Sequence, residues 1–159
     1  MRRKDREKDR DFALKVIDHA PFGVAAFVDE KGDPYAIQLS IVRVGEFLFF
    51  HSAHEGAKND IIKRNPRTCV TFASNVIPAK DSFTTSYESA IVKGVVTEVF
   101  DDDEKTEILR ALSIRFCPDN MGRFDEAIKM SLGRTAIFKI SMDEVTGKAK
   151  HLSEAQKYR

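Results

Sequence analysis

The sequence contains no tryptophan and only two cysteines, Cys69 and Cys117, which lie far apart and form no CxxC pair. A disulfide framework is therefore not indicated, and the reducing cytoplasm is the simplest expected location. Long hydrophobic runs are also missing from the chain. We accordingly expect no secretory signal, no membrane span and no membrane partner.

An excess of charge of one sign is missing as well. The 26 lysines and arginines balance 25 aspartates and glutamates, which gives a formal net charge of +1. Because proteins that bind nucleic acids carry a strongly basic face, no nucleic-acid partner is expected. A small anionic ligand is still compatible with this balance, since it needs only one local cation and a few N–H groups.

The composition that is present is typical of a globular domain. The chain has 159 residues, 42% hydrophobic and 32% charged, and 12 of them are phenylalanines. This length fits one domain over residues 1–159, with an N-terminal helix within 1–20 and a tail at 149–159. The phenylalanines are expected in its core.

Segments rich in β-forming residues dominate the middle of the chain and predict six strands, at 22–28, 35–44, 46–52, 67–74, 83–100 and 135–142. The first three are expected to form a meander, and residues 75–82 a loop. Gly94 inside a long β segment predicts a bulge or a sharp bend of a barrel wall. We therefore expect a mainly β fold with peripheral helices, a small antiparallel barrel.

Apolar spacing predicts helices around this barrel. The first begins after the charged opening residues and ends before Pro21. A short helix is expected at 57–64, and further helices are expected after residue 104 and from 124 to 132. The acidic run 101–104 is interpreted as a favourable start for the third helix rather than as a metal site.

The segment 51–65 is the most informative for function, because it joins a strand end to a helix start through a loop containing Gly56. The first turn of a helix has N–H groups without partners, and no Ser, Thr, Asp or Asn occupies the expected N-cap position. Lys58 lies in this turn, where the helix dipole disfavours a cation unless an anion is near. With Ser52 and His51, these groups indicate a phosphate or carboxylate site; the alternative is an exposed lysine beside an ordinary loop.

Other kinds of chemical site are not indicated. His51 and His54 lack the HExxH order, and side chains three residues apart on a strand point to opposite faces, so no metal is expected. The GxSxG, GxGxxG and P-loop patterns are also missing. A nucleophile elbow or a nucleotide held on a Rossmann sheet is therefore not expected.

Several motifs occur in order along nearly the whole chain: MRRKDRE, PYAIQLS, FFHSAHEGAK with NDIIKRNP, SYES leading to Gly94, and RTAIFKI leading to TGK at 146–148. Together they resemble the pyridoxamine 5′-phosphate oxidase-like FMN-binding split-barrel superfamily, in its branch related to nitroimidazole-resistance (Nim) proteins. The resemblance implies a six-stranded antiparallel split β-barrel of the FMN-binding type. It also implies a homodimer with two FMN molecules at the subunit interface.

The resemblance further implies which residues form the site. Those matched to cofactor contacts are Ile37, Gln38, Leu39 and Ser40 along the flavin ring, His51 and Ser52 at the end of the next strand, Gly56, Ala57 and Lys58 in the phosphate-binding turn, and Tyr87 and Ser89 as polar contacts. His51 is also the candidate catalytic residue. The alternative is that His51 only hydrogen-bonds the cofactor or a neighbouring strand.

Several departures from the family pattern qualify these expectations. Gln38 stands where the branch often has proline, and Ser86 where it often has lysine. The tryptophan and arginine that serve true pyridoxamine phosphate oxidases near the C-terminus are not matched. Oxidation of pyridoxamine phosphate itself is therefore not expected.

The leading hypothesis is an FMN-dependent oxidoreductase acting on a small organic substrate, such as a nitroimidazole or another nitro-aromatic. The alternative is a non-enzymatic flavin- or haem-binding protein of the same fold, with His19, His51 or His54 as axial-ligand candidates for haem. A structural dimer with an empty cleft is a third interpretation.

Overall fold

The structure is a computed structural model that describes residues 2–80 and 83–152. In this part of the chain it has nine strands: β1 (Glu7–Lys8), β2 (Gly23–Val28), β3 (Pro34–Leu39), β4 (Val42–Val44), β5 (Phe47–Ala53), β6 (Arg67–Pro78), β7 (Thr85–Val99), β8 (Thr135–Ser141) and β9 (Glu144–Lys150). The α-helices there are α1 (Arg10–His19), α2 (Ala57–Arg64), α3 (Asp102–Phe116) and α4 (Phe124–Ser131). Short 3₁₀ segments occupy Lys4–Arg6, Pro118–Arg123 and Leu132–Arg134.

All strand pairs are antiparallel, and the main path of the sheet is β3-β2-β6-β7-β8-β5-β4. The strand β9 pairs with β7 and with the short β1. The expected mainly β class with peripheral helices is confirmed.

The bend predicted at Gly94 lies where β7 changes partner. Tyr87 to Lys93 pair with β9, whereas Val96 to Val99 pair with β8. A Cβ at Gly94 would overlap the carbonyl oxygen of Ser141 and lie 2.8 Å from its carbonyl carbon. The Ser141 Oγ accepts a hydrogen bond from the Val95 N–H at 2.9 Å. The β8–β9 connection therefore crosses β7 at a point where only glycine fits.

Several predicted boundaries were wrong. The strand expected at 35–44 is interrupted at Ser40 and Ile41: β3 pairs with β2 and β4 pairs with β5, so the expected meander is bent at a barrel corner. The loop expected at 75–82 belongs to β6 as far as Pro78, past an irregularity at Asn75, whose φ is +50°. Residues 81 and 82 lie outside the described part.

The C-terminal prediction also needs correction. The strand β9, which the sequence did not predict, takes in residues 149 and 150 of the expected tail. Gly147 and Ala149 are its buried positions. Because both are small and their neighbours are polar, the alternation of apolar and polar residues that indicates a strand is weak here. Residues 153–159 of the predicted tail lie outside the described residues.

The main core fills the barrel and packs beneath α1. Phe50 and Phe138 stack with their ring centroids 5.2 Å apart, and α1 buries Val16 and Ile17 against the strands. A second cluster lies on the outer face of β5 and β8, where α3 buries Ile108. The helix α3 consequently covers part of that outer face.

The starts of α1 and α3 follow from acidic N-caps. The side chain of Asp9 accepts a hydrogen bond from the Phe12 N–H at 2.8 Å, and Asp101 does the same for Glu104 at 2.8 Å. The capping interpretation of the acidic run is thus confirmed. Among the residues that the structure describes, no helix combines the length and the apolar character needed to cross a membrane.

Candidate functional site

The helix α2 begins without a side-chain cap. Its N-cap residue is Gly56, whose φ of +128° lies in a region that residues with side chains rarely adopt, and no side chain in the described part of the chain caps its first turn. The Gly56 carbonyl accepts hydrogen bonds from Asn59 at 2.9 Å and Asp60 at 3.2 Å. The N–H groups of Ala57 and Lys58 precede these bonds and have no helical partner. The helix start therefore offers donors to a ligand.

Lys58 places a half-buried cation at this helix start. Its Nζ lies 5.2 Å from the centroid of the Phe50 ring, and burial lowers the pKa of its ammonium group below the ordinary value of 10.5. Within residues 2–80 and 83–152, no carboxylate oxygen approaches that Nζ within 4.0 Å. Asp60, in the same turn, lines a different depression with Asp29 and Glu30.

His51 lies on the outer face of β5, opposite Ile137 of β8. Partial removal of water around the imidazole lowers its pKa below 6.5, and the positive charge of Lys58 lowers it further. The ring is therefore neutral at pH 7, with one nitrogen able to donate and the other able to accept a hydrogen bond.

Ser52 faces the opposite side of β5 from His51. Its hydroxyl donates to Oδ1 of Asn59 at 3.3 Å, and the Asn59 Nδ2 donates to the Ala53 carbonyl at 2.6 Å. Asn59 is only 2% exposed, so this pair fixes the end of β5 against the first turn of α2. Asn59 was not predicted as a site residue, because its position in the first helical turn is the only signal for it in the sequence.

A cavity of about 330 Å³ separates the outer face of β5 and β8 from α3 and the end of α4. Both Ser40 and His51 line it, although they were assigned to different strands of the sequence-predicted site. The interruption of the second strand at Ser40 and Ile41 places Ser40 here. The structure thus brings two of the predicted site residues into one cavity.

The other predicted ring-strand residues face two ways. The side chains of Ile37 and Leu39 pack against the main core, whereas Gln38 is exposed. A ligand on the outer face of β3 would therefore meet the side chain of Gln38, but only the backbone of its two neighbours.

Tyr87 and Ser89 lie on β7 beside β9, away from the cavity that contains His51. The Ser89 hydroxyl donates to the Lys148 carbonyl at 3.4 Å. The Lys148 Nζ lies 5.6 Å from the Tyr87 ring centroid, and its hydrogen bond lowers the pKa of the Tyr87 hydroxyl. In this chain these two residues are not adjacent to Lys58 or His51.

Residues 9–149 match the model of the family described as pyridoxamine 5′-phosphate oxidase. The chain belongs to this family. A search of curated proteins finds no match to its sequence.

Several solved structures are similar in fold to this pyridoxamine 5′-phosphate oxidase family member. A proposed 5-nitroimidazole antibiotic resistance protein from Bacteroides thetaiotaomicron is 25% identical, with a TM-score of 0.76 over 89% of this chain and 84% of that one. The FAD and heme binding protein from Mycobacterium smegmatis is 24% identical, with a TM-score of 0.77 over 92% and 74%. The flavocytochrome Anf3 from Azotobacter vinelandii is 18% identical, with a TM-score of 0.80 over 98% and 76%. The last two likenesses concern the fold alone.

Proposed function

We propose that this protein is a cytoplasmic, homodimeric, FMN-dependent oxidoreductase that acts on a small organic substrate. The observation that carries the proposal is the half-buried Lys58, without a carboxylate partner among the described residues, at the uncapped start of α2. Burial, the helix dipole and the missing partner all oppose a cation at this place. A bound anion removes all three penalties, so the local chemistry supports an anionic ligand.

The residues at this helix start fit a flavin phosphate. A phosphate accepts hydrogen bonds from several directions, and the first turn of α2 contributes both the N–H groups of Ala57 and Lys58 and the Lys58 ammonium group. Gly56 permits the backbone turn that presents them, since its φ is +128°. Bound FMN would supply the electron-transfer chemistry, while the protein binds, orients and shields the reactants.

His51 is the proposed chemical group of the chain. Its neutral imidazole can hold a proton on one nitrogen and accept one at the other. It lines the cavity beside β5 while lying close enough to Lys58 for that charge to lower its pKa. We assign it the role of orienting substrate and of passing a proton to it from one nitrogen while the other nitrogen accepts a proton.

The proposed dimer rests on the outer face of β3, β2, β6 and β7. This face carries small and apolar side chains, and in it Val28 is 45% and Ile91 is 41% exposed. One row across it runs from Gln38 through Val24 and Thr71 to Ile91. A second copy placed here would bury this row and the neighbouring Ser89. Because Gln38 and Ser89 are expected flavin contacts, dimerisation and flavin binding would be coupled.

For the substrate, we propose a nitroimidazole or another nitro-aromatic compound. The support is the 25% identity over 89% of this chain to the proposed 5-nitroimidazole resistance protein. The neutral imidazole of His51 suits such a substrate, because its N–H can donate a hydrogen bond to a nitro oxygen.

The test is to purify the protein, record its absorbance spectrum and identify any released cofactor by mass. The expected result is a flavin spectrum and released FMN, followed by anaerobic bleaching with NADH or NADPH and recovery on adding a nitro-aromatic compound. A Soret band without flavin would instead indicate the haem-binding alternative. Bound flavin that neither nicotinamide bleaches would contradict a nicotinamide-driven reductase.

A further inference from the structure

The cavity beside His51 has the size and chemistry of a binding site for a small uncharged molecule. Its volume of about 330 Å³ lies at the lower end of the range found for ligand pockets, which suits one ring or two fused rings. Among the described residues, none that lines it is Asp, Glu, Lys or Arg. An ionic ligand would therefore enter it without a compensating charge.

The walls of the cavity differ in polarity. Leu109, Leu112 and Phe116 form an apolar wall, because their spacing places them on one face of α3. Two serines also line the cavity: Ser113 belongs to α3, and Ser131 is the last residue of α4. A flat ring can therefore pack on the helix while polar atoms at its edge reach the hydroxyls.

His51 connects this cavity with the anion site. It lines the cavity, and the charge of Lys58 contributes to its lowered pKa. The imidazole is neutral at pH 7, so the cavity holds no net charge under ordinary conditions. Ser40, which follows the end of β3, lines the same cavity.

We propose that this cavity between α3 and the outer face of β5 and β8 binds the substrate, an uncharged small aromatic ring with hydrogen-bonding groups at its edge. The proposal rests on the proposed oxidoreductase function, but it adds a location and a charge preference. Substrate enters from the side of α3, and His51 forms the boundary between the substrate and the phosphate site. The face of β7 with Tyr87 and Ser89 plays no part in substrate binding.

Binding is tested with benzamide and benzoate, which have the same shape but differ in charge, on the purified protein with whatever cofactor it carries. Amide signals in two-dimensional NMR report where each probe binds. We expect benzamide to shift the signals of residues 109–117 and 131–135 in a saturable manner. Benzoate should need at least tenfold higher concentration for the same shifts. Equal shifts from both probes, or none in these segments, would overturn the proposal.

The variant that fills the cavity is Ser113→Phe, and its matched control is Ile114→Phe. Ile114 is the next residue of α3, is 57% exposed and does not line the cavity. We expect Ser113→Phe to raise the benzamide dissociation constant at least tenfold and Ile114→Phe to leave it unchanged. Ser131→Phe fills the cavity from the opposite side and serves if Ser113→Phe does not fold. An unchanged constant in a folded filling variant would contradict the proposal.

Flavin content separates this proposal from the proposed function. In the flavin-loaded protein, Ser113→Phe should retain its flavin and its bleaching by nicotinamide, while kcat/KM for nitrobenzene falls at least tenfold. A filling variant with normal kcat/KM shows that the cavity is not the substrate site, whereas the oxidoreductase proposal stands. Absence of flavin from the wild-type protein contradicts the proposed function, and the benzamide titration then still decides whether the cavity binds a neutral ring.

Discussion

Replacing Lys58 by methionine removes the positive charge from the start of α2 while keeping an unbranched apolar chain over Phe50. In the structure this ammonium group is half-buried, 5.2 Å from the ring centroid, and no carboxylate among the described residues pairs with it. If its function is to bind the flavin phosphate, Lys58→Met loses one charge-assisted hydrogen bond. Such bonds contribute about 1.5–3 kcal/mol, so the FMN dissociation constant should rise roughly 10- to 150-fold.

The assay compares FMN with riboflavin, which lacks the phosphate, by fluorescence titration of the flavin-free protein. Lys58→Met should weaken FMN binding and leave riboflavin binding unchanged, because only the phosphate meets the missing charge. Lys63→Met is the matched control, since Lys63 lies in the last turn of the same helix and is exposed. Folding does not suffer in this design, because removing a buried cation relieves a desolvation penalty.

The pH dependence gives an independent measurement of the same contact. Burial lowers the pKa of Lys58 below 10.5, so its charge, and with it FMN affinity, should decline as pH rises through that lowered pKa. The phosphate keeps its full charge throughout this range, because its second pKa is about 6. Equal loss of FMN and riboflavin, or the same decline in Lys58→Met, would refute the assignment of Lys58 to the phosphate.

Three further changes test the dimer, the histidine and the barrel. Ile91→Asp should convert the dimer to monomers in light scattering and release flavin at the same time, whereas Ile114→Asp on the exposed side of α3 should do neither. His51 has a lowered pKa, so the stability that its neutral ring contributes is complete above pH 6.5 and is lost as pH falls through the folded pKa. The Tm of wild type should therefore fall more between pH 7.5 and 5.5 than the Tm of His51→Gln. His151→Gln, at an exposed position, is the control. Gly94→Ala should lower the free energy of unfolding in urea by about 1–3 kcal/mol or more, because its Cβ meets the Ser141 backbone, whereas Gly133→Ala, with open space around it, should change it little. A stable Gly94→Ala protein would mean that the β8–β9 crossing can shift at no cost.

Features of the fold that depend on residues close in sequence could be predicted. The acids at 101–104 predicted the start of α3, and Asp101 forms the expected cap. Gly94 predicted a bend, and the structure has a change of partner there. Strand β9 escaped prediction because its formation depends on pairing with β7 and not on its own composition. The extension of β6 to Pro78 escaped for a similar reason, since the partner strand determines where a strand ends.

For the candidate site, the sequence located the helix start but not its surroundings. The motif around Gly56 and Lys58 predicted an uncapped first turn with a cation, and both are present. What it could not predict was that Ser52 contacts Asn59 and that the aromatic ring under Lys58 is Phe50. These contacts depend on the direction in which side chains leave β5, and this direction is decided by its register with β8.

The cavity beside His51 could not be predicted from the sequence. Its walls come from segments separated by up to about 95 positions, from Ser40 to Thr135, and each segment satisfies an ordinary helix or strand pattern by itself. Only the packing of α3 on the outer face of β5 and β8 brings them together. The chamber that it forms beside the imidazole has no charged side chain among its described lining residues. The near-neutral total charge of the chain is thus consistent with a site that has one cation, Lys58, near His51 and an uncharged cavity beside the same histidine.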